Sequence, residues 1–342
     1  MNIHKVIAEL PKVELHIHIV GTIRPQTLLD FIDEGSFETP YNSVKDIVHL
    51  FQYQDFDQFI SVYSEVVGYI TKEKQFERLA FEMLEDLAAS NVRYAEISFS
   101  APDHMRREME FGAMLDAIVR GIKRAHRKTG IEADVRIDLV RNYGPKSAME
   151  VLDWVQEKLD HIVSVDIGGS EHNFPPKPFA PVYEEARKMG LHLVAHAGEA
   201  AGPESIWDAI RFLRVERIGH GTSAIDDQRL MDHIKENGIA IESCPVSNVR
   251  TGVVSSIEDH PIREYYDRGL LVTVNSDDPA FFDTNISFEY MQLHDRLGFS
   301  LSDLYSITRN GIRSAFISDS KKDVLLDETE KAYSKIMTCI IR

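Results

Sequence analysis

The sequence predicts an α/β fold: a closed (β/α)8 (TIM) barrel with a helical insertion after its first strand. Eight short apolar runs rich in β-branched residues alternate with helical patterns, which argues for a parallel sheet. Eight such units in 342 residues suit a closed barrel. The competing doubly wound open sheet would carry a glycine-rich phosphate loop after its first strand, and neither GxGxxG nor a Walker A pattern occurs. No Pro-, Gly- or Ser-rich linker divides the chain, so residues 1–342 are expected to form one domain.

The first strand is read in Glu14–Gly21, where polar and apolar residues alternate until Gly21 ends the run. Strand side chains repeat with period two, so His16 and His18 point the same way and Leu15, Ile17 and Ile19 the other. Residues 22–91 read mainly as helix. Phe51, Phe56, Phe59, Ile60 and Tyr63 recur at helical spacing, as do Phe76, Leu79, Ala80, Met83, Leu84 and Leu87. These side chains suit core packing, and the aromatic set also suits a lid over a pocket at the end of strand one. Later strands are expected at Val92–Ser100, Val135–Val140, Ile162–Ile167, Leu191–His196, Arg217–Gly221, Ile239–Ser243 and Leu270–Asn275. The helices between them are expected at Phe111–Lys128, Ala148–Leu159, Ala180–Met189, Ser205–Leu213, Asp226–Asn237 and Ile262–Arg268, and residues 287–342 read as C-terminal helices.

Composition narrows the partners. The 38 basic and 55 acidic residues give a formal charge of −17, opposite to the basic footprint of a nucleic-acid binder and unsuited to an anionic membrane surface. No apolar run approaches a membrane span. Two distant cysteines, Cys244 and Cys339, make no disulfide framework and fit a reducing cytoplasm. The segment Met1–Pro11 lacks the apolar stretch of a signal peptide. A cytoplasmic protein acting on a small molecule is expected.

In such a barrel the active site forms at the C-terminal ends of the strands. There the sequence places His16 and His18, then Gly168-Gly169-Ser170-Glu171, His196-Ala197-Gly198-Glu199, Gly219-His220-Gly221 and Ser276-Asp277-Asp278. Each alone is an ordinary core histidine or turn. Together, three histidines and a carboxylate make a zinc-type donor set with one position left for water.

Five segments carry a family resemblance: KVELHIHIVGTIRP (Lys12–Pro25), HAGE (His196–Glu199), RIGHG (Arg217–Gly221), ESCPVSN (Glu242–Asn248) and NSDDP (Asn275–Pro279). In this order and spacing, from Lys12 to about Asp327, the chain resembles the adenosine deaminase family of the amidohydrolase superfamily. The resemblance implies one Zn2+ per chain, bound by His16, His18, His196 and Asp277. It further implies that Glu199 protonates N1 of the purine and that His220 orients and helps to deprotonate the attacking water. Asp278 would hold that water and the departing amine, and the Gly169 backbone would contact N3. The implied substrate is a purine nucleoside. Attack at C6 puts negative charge on N1 unless a proton arrives, so Glu199 must be protonated when substrate binds, as a desolvated site allows. The other zinc deaminase pattern, HxE followed by PCxxC, is absent, and Cys244 reads as a small buried residue, since no step needs a nucleophilic thiol.

Two positions depart from the family. Val20 stands where nucleoside deaminases usually have Asp, which accepts a hydrogen bond from the ribose 5′-hydroxyl; adenine deaminases tend to have Glu. Losing one neutral hydrogen bond costs roughly 0.5–1.5 kcal/mol, which weakens adenosine without excluding it. Val20 therefore points to a tolerated or preferred modified 5′ position, as in 5′-methylthioadenosine, 5′-deoxyadenosine or 6-aminodeoxyfutalosine. Only Arg24 lies close in sequence to serve a 5′-phosphate, so AMP ranks lower. Ser98 stands where relatives often have Arg, a change the sequence leaves without a functional account. A catalytically silent, nucleoside-binding relative would have lost ligands or the acid, and all are present.

Overall fold

The structure is a computed structural model and describes residues 3–53 and 56–341. The Phe56 side chain, part of the aromatic spacing above, lies outside those described. Eight strands form one parallel sheet in sequence order: β1 (Lys12–His18), β2 (Val92–Phe99), β3 (Glu132–Asp138), β4 (Ile162–Asp166), β5 (His192–Ala197), β6 (Arg217–His220), β7 (Ala240–Ser243) and β8 (Val272–Val274).

The sheet curls until β8 meets β1. The seam is closed by a parallel bridge between Ile17 and Asp277, with Asp277 N–H donating to His16 at 3.0 Å and His18 N–H donating to Asp277 at 2.9 Å. Side chains complete it: Asn275 Oδ1 accepts from Leu15 N–H and Glu14 Oε1 from Ser276 N–H. All seven residues of β1 are buried, as expected for a strand with the barrel interior on one face and helices on the other.

Most boundaries fall within two residues of the expected ones. β3 starts earlier and ends sooner than Val135–Val140, because Val140 turns to φ +42° and leaves the ladder. β8 is shorter than Leu270–Asn275, since Asn275 bonds across the seam. The helix expected at Ser205–Leu213 is an α-helix at Pro203–Asp208 continued by a π-helix at Ala209–Leu213. Helices Pro25–Gly35, Val44–Leu50, Phe56–Tyr69 and Gln75–Ala89 fill the segment between β1 and β2. Helices Ile286–Leu297, Leu301–Ser314 and Asp319–Ile341 follow β8.

Candidate active site

The strand ends do converge. His16, His18, His196, His220 and Asp277 are all buried, and their nitrogen and oxygen atoms form two overlapping groups whose members lie within 4.8 Å of one another. His16 Nε2 and His18 Nε2 lie 3.5 and 3.3 Å from Asp277 Oδ1, and His220 Nε2 lies 4.0 Å from Asp277 Oδ2. The period-two reading of β1 holds: the rings of His16 and His18 sit side by side, 5.3 Å between centroids.

The cluster's surroundings favour a cation. His16 Nδ1 lies 2.8 Å from Glu242 Oε2, and His196 Nδ1 lies 3.0 Å from Asp166 Oδ2. A neutral imidazole that donates through Nδ1 to a carboxylate leaves Nε2 as a lone pair, and this carboxylate–histidine arrangement orients metal ligands. His16 Nε2 is buried with no hydrogen-bond partner among the described residues, a costly condition unless something binds it. Three imidazoles and a carboxylate match zinc or a similar divalent ion, so the residues present fit such a metal.

A buried guanidinium ties the two orienting carboxylates together. Arg136, fully buried on β3, donates from Nη1 to Glu242 Oε2 at 2.8 Å, approaches Asp166 Oδ2 with Nη2 at 3.4 Å, and donates from Nε to Ser98 Oγ at 2.9 Å. Against the cost of burial, Arg136 and Arg217 hold Glu242 well below the usual carboxylate range, and His196 and Arg136 do the same for Asp166. Ser98 and Arg136 are register partners on β2 and β3. Arg136 thus brings a cation to Ser98 from the neighbouring strand, and the small Ser98 side chain leaves room for it.

Above the cluster lies a cavity of about 250 Å³ whose lining includes His18, His196, Glu199, His220, Asp277 and Asp278. Phe59, Ile60 and Tyr63 of helix Phe56–Tyr69 also line it, while Phe59 packs on Tyr53, Phe281 and Phe282. Helix Phe56–Tyr69 thus contributes side chains both to the cavity lining and to the packed core. Burial pushes Glu199 up to about 7, and its carboxylate lies 3.6 Å from His220 Nε2. Burial, then the charge of Asp277, pushes Asp278 well above its usual range. Strain accompanies the site: His220 and Asp277 both hold φ of +62°, and Val140, also in the lining, +42°.

Two glycines are required here. A Cβ on Gly21 would lie 1.8 Å from Asp278 Oδ1, so only glycine lets that carboxylate approach. Gly169 lines the cavity at φ +103°, where a Cβ would lie 2.2 Å from Asn142 Oδ1. Val20 is placed otherwise than expected: it is 2% exposed within the apolar core, and the cavity lining does not include it.

Sequence reasoning missed several supporting residues. Glu171 accepts from the backbone N–H groups of Gly198, Glu199, Ala200 and Ala201 at 2.5–3.1 Å, clamping the turn that carries Glu199. Its place in GGSE after strand four was the only signal. Ile262 N–H donates to His260 Nδ1, His260 Nε2 lies 3.1 Å from Asn248 Oδ1, and Asn248 Nδ2 lies 3.1 Å from His220 Nδ1. Burial keeps His260 neutral, lowering it to about 3. The chain of donors then runs from His260 to Asn248 to His220 and leaves the proton of neutral His220 on Nε2.

The match to known proteins has the same extent. Residues 11–332 match the family model described as adenosine deaminase. The chain belongs to the adenosine deaminase family. It is a hydrolytic, purine-type deaminase, and this family is metal-dependent. An aminodeoxyfutalosine deaminase from Streptomyces coelicolor is 35% identical, covering 96% of this chain and 86% of the relative. The solved adenine deaminase from Arthrobacter aurescens superposes with a TM-score of 0.91 at 31% identity, covering 94% of this chain and 98% of that one. An amidohydrolase from Burkholderia ambifaria with bound zinc gives 0.90 at 26% identity, covering 98% and 94%. No described helix is long and apolar enough to cross a membrane.

Proposed function

We propose that this family member deaminates a 6-aminopurine nucleoside, adenosine or a 5′-modified adenosine, consuming water and yielding the inosine analogue and ammonia. The observation that carries the reading is the meeting of two kinds of group at one cavity. Buried imidazoles, His16 with an unpartnered Nε2 among them, cluster at a cavity that also holds a carboxyl, Glu199, which burial raises to about 7. His16, His18, His196 and Asp277 would hold one zinc ion, the metal bound in the Burkholderia ambifaria neighbour. Zinc supplies Lewis acidity there, able to bring the pKa of water to about 7.

The chain's own residues supply the rest. Glu199 donates its proton to N1, so that attack of water at C6 leaves no charge on the ring. His220, with its proton on Nε2, orients the attacking oxygen by donating to it. This tautomer moves the proton-accepting part of the role expected for His220 to Asp278, which as a carboxylate takes the water's proton and passes it to the departing amine. The Gly169 N–H contacts N3. As ammonia leaves, the C6 hydroxyl becomes the carbonyl of the product, its proton restores Glu199, and the ring is aromatic again.

A second reading, preference for a modified 5′ position, is favoured by the name of the Streptomyces coelicolor relative; Val20, buried in the core, takes no part in it. Both readings are tested by comparing kcat/KM of zinc-loaded enzyme for adenosine, 5′-methylthioadenosine and 6-aminodeoxyfutalosine, with adenine and AMP as controls. Preference for adenine or AMP would overturn the nucleoside reading. Inertness towards all five with zinc bound would return the chain to a silent nucleoside binder.

A further inference from the structure

The charged groups on the cavity lining are carboxylates and histidines. Asp103, Asp138, Glu199, Asp277 and Asp278 line it, and among the described residues no lysine or arginine does. A phosphate joined directly to the 5′ carbon would therefore meet no cationic side chain there to pair with its charge. At about 250 Å³ the cavity also falls short of the roughly 300–1,000 Å³ of typical small-molecule sites.

It continues outward. A second recess of about 280 Å³ shares Tyr63, Ser64, Asp103 and Tyr143 with the first and adds Val67, Arg106 and Arg107. No residue of the metal-type cluster lines this recess, so a ligand whose reacting end sits at the cluster points its far end here. The recess has aromatic and apolar walls and a cationic rim. The Arg106 guanidinium stacks 4.4 Å from the Tyr143 ring centroid, and Tyr143 Oη donates to Asp103 at 2.8 Å. The Arg107 guanidinium reaches across to Gly68 of helix Phe56–Tyr69, 3.7 Å from where a Cβ would stand. Both arginines are exposed, and neither forms an ion pair with a carboxylate among the described residues.

We propose that Arg106, Arg107 and Tyr143 form an outer subsite that selects a 6-aminopurine nucleoside bearing an anionic group on an apolar spacer at its 5′ position. The proposal rests on the nucleoside deaminase reading and names its substrate class. The spacer carries the anion past the inner carboxylates, its apolar body lies against Tyr63, Val67 and Tyr143, and the guanidiniums receive the charge.

The test uses zinc-loaded enzyme and two matched probes, 5′-deoxy-5′-(4-carboxybenzylthio)adenosine and its neutral 4-methylbenzylthio twin, with AMP and 5′-methylthioadenosine alongside. The expected kcat/KM ratio of charged to neutral twin is about fivefold to tenfold at low salt, as for contacts with partly exposed cations, and it shrinks in high salt. In the Arg106→Gln/Arg107→Gln variant the ratio falls to near unity. A wild-type ratio at or below unity, a ratio that survives the double substitution, or AMP outpacing the carboxylate twin overturns the proposal. If 5′-methylthioadenosine is turned over while the ratio is flat, only the outer subsite fails; if no nucleoside is deaminated, the underlying reading fails with it.

Discussion

Replacing Arg136 with methionine removes the cation that, alone among the described residues, touches both carboxylates orienting the histidines. The side chain is fully buried, 2.8 Å from Glu242 and 3.4 Å from Asp166. At an effective dielectric of about 20, each contact represents roughly 5 kcal/mol of attraction before desolvation is counted. Breaking a buried ion network from one side costs about 3–5 kcal/mol net, because the remaining charges lose their compensation. Glu242 keeps Arg217 Nε at 2.7 Å, so the damage falls hardest on Asp166 and through it on His196. Urea unfolding of metal-free protein should show a loss of about 3–5 kcal/mol. Chelator competition should show zinc held about 10–100-fold more weakly, as when groups that orient metal ligands are removed. A change below about 1 kcal/mol with zinc affinity intact would refute the reasoning, since that is the scale of an exposed ion pair. A control comes from register pairing: adding Ser98→Arg to Arg136→Ser returns the guanidinium from β2, and should recover much of the lost zinc affinity.

Other outcomes follow from the same geometry. Glu199→Gln should keep its zinc, measured by metal analysis, while kcat falls about 10²–10⁴-fold; near-normal kcat would remove Glu199 as the acid. His16→Ala should lower zinc content and turnover together, and full activity with stoichiometric zinc would exclude it as a ligand. Glu289, whose Oε2 accepts from Val246 N–H, is pushed up to about 8 chiefly by burial. The native state therefore binds its proton more tightly than the unfolded chain. The stability this contributes is fully present below about pH 4.5 and is lost as pH rises through 8, a change of roughly 3–5 kcal/mol. Glu289→Gln should flatten that slope, so that the variant gains on wild type from pH 5 to 8 in denaturation curves; a constant difference would contradict the linkage.

Much was legible in the sequence because it depends on local period and on one rule of topology. Alternation in Glu14–Gly21 put His16 and His18 on one side of a strand. A parallel barrel brings all strand ends to one rim, so histidines and aspartates hundreds of residues apart could be expected to meet, as they do. Only the tertiary structure decided what surrounds them. Arg136 meets Glu242 across 106 positions of sequence, and no periodic pattern announces such a pair. The proton on His220 follows from a relay through Asn248 and His260 that exists only once two loops pack together. Val20, read from sequence as facing the substrate, turns into the core because a 3-10 turn at Val20–Thr22 ends the strand's alternation after His18. The outer recess likewise arises where helix Phe56–Tyr69 crosses the loop after β2. Sequence pattern sets which face of an element a residue occupies; which charges then share a low-dielectric volume is set by packing between elements distant in the chain.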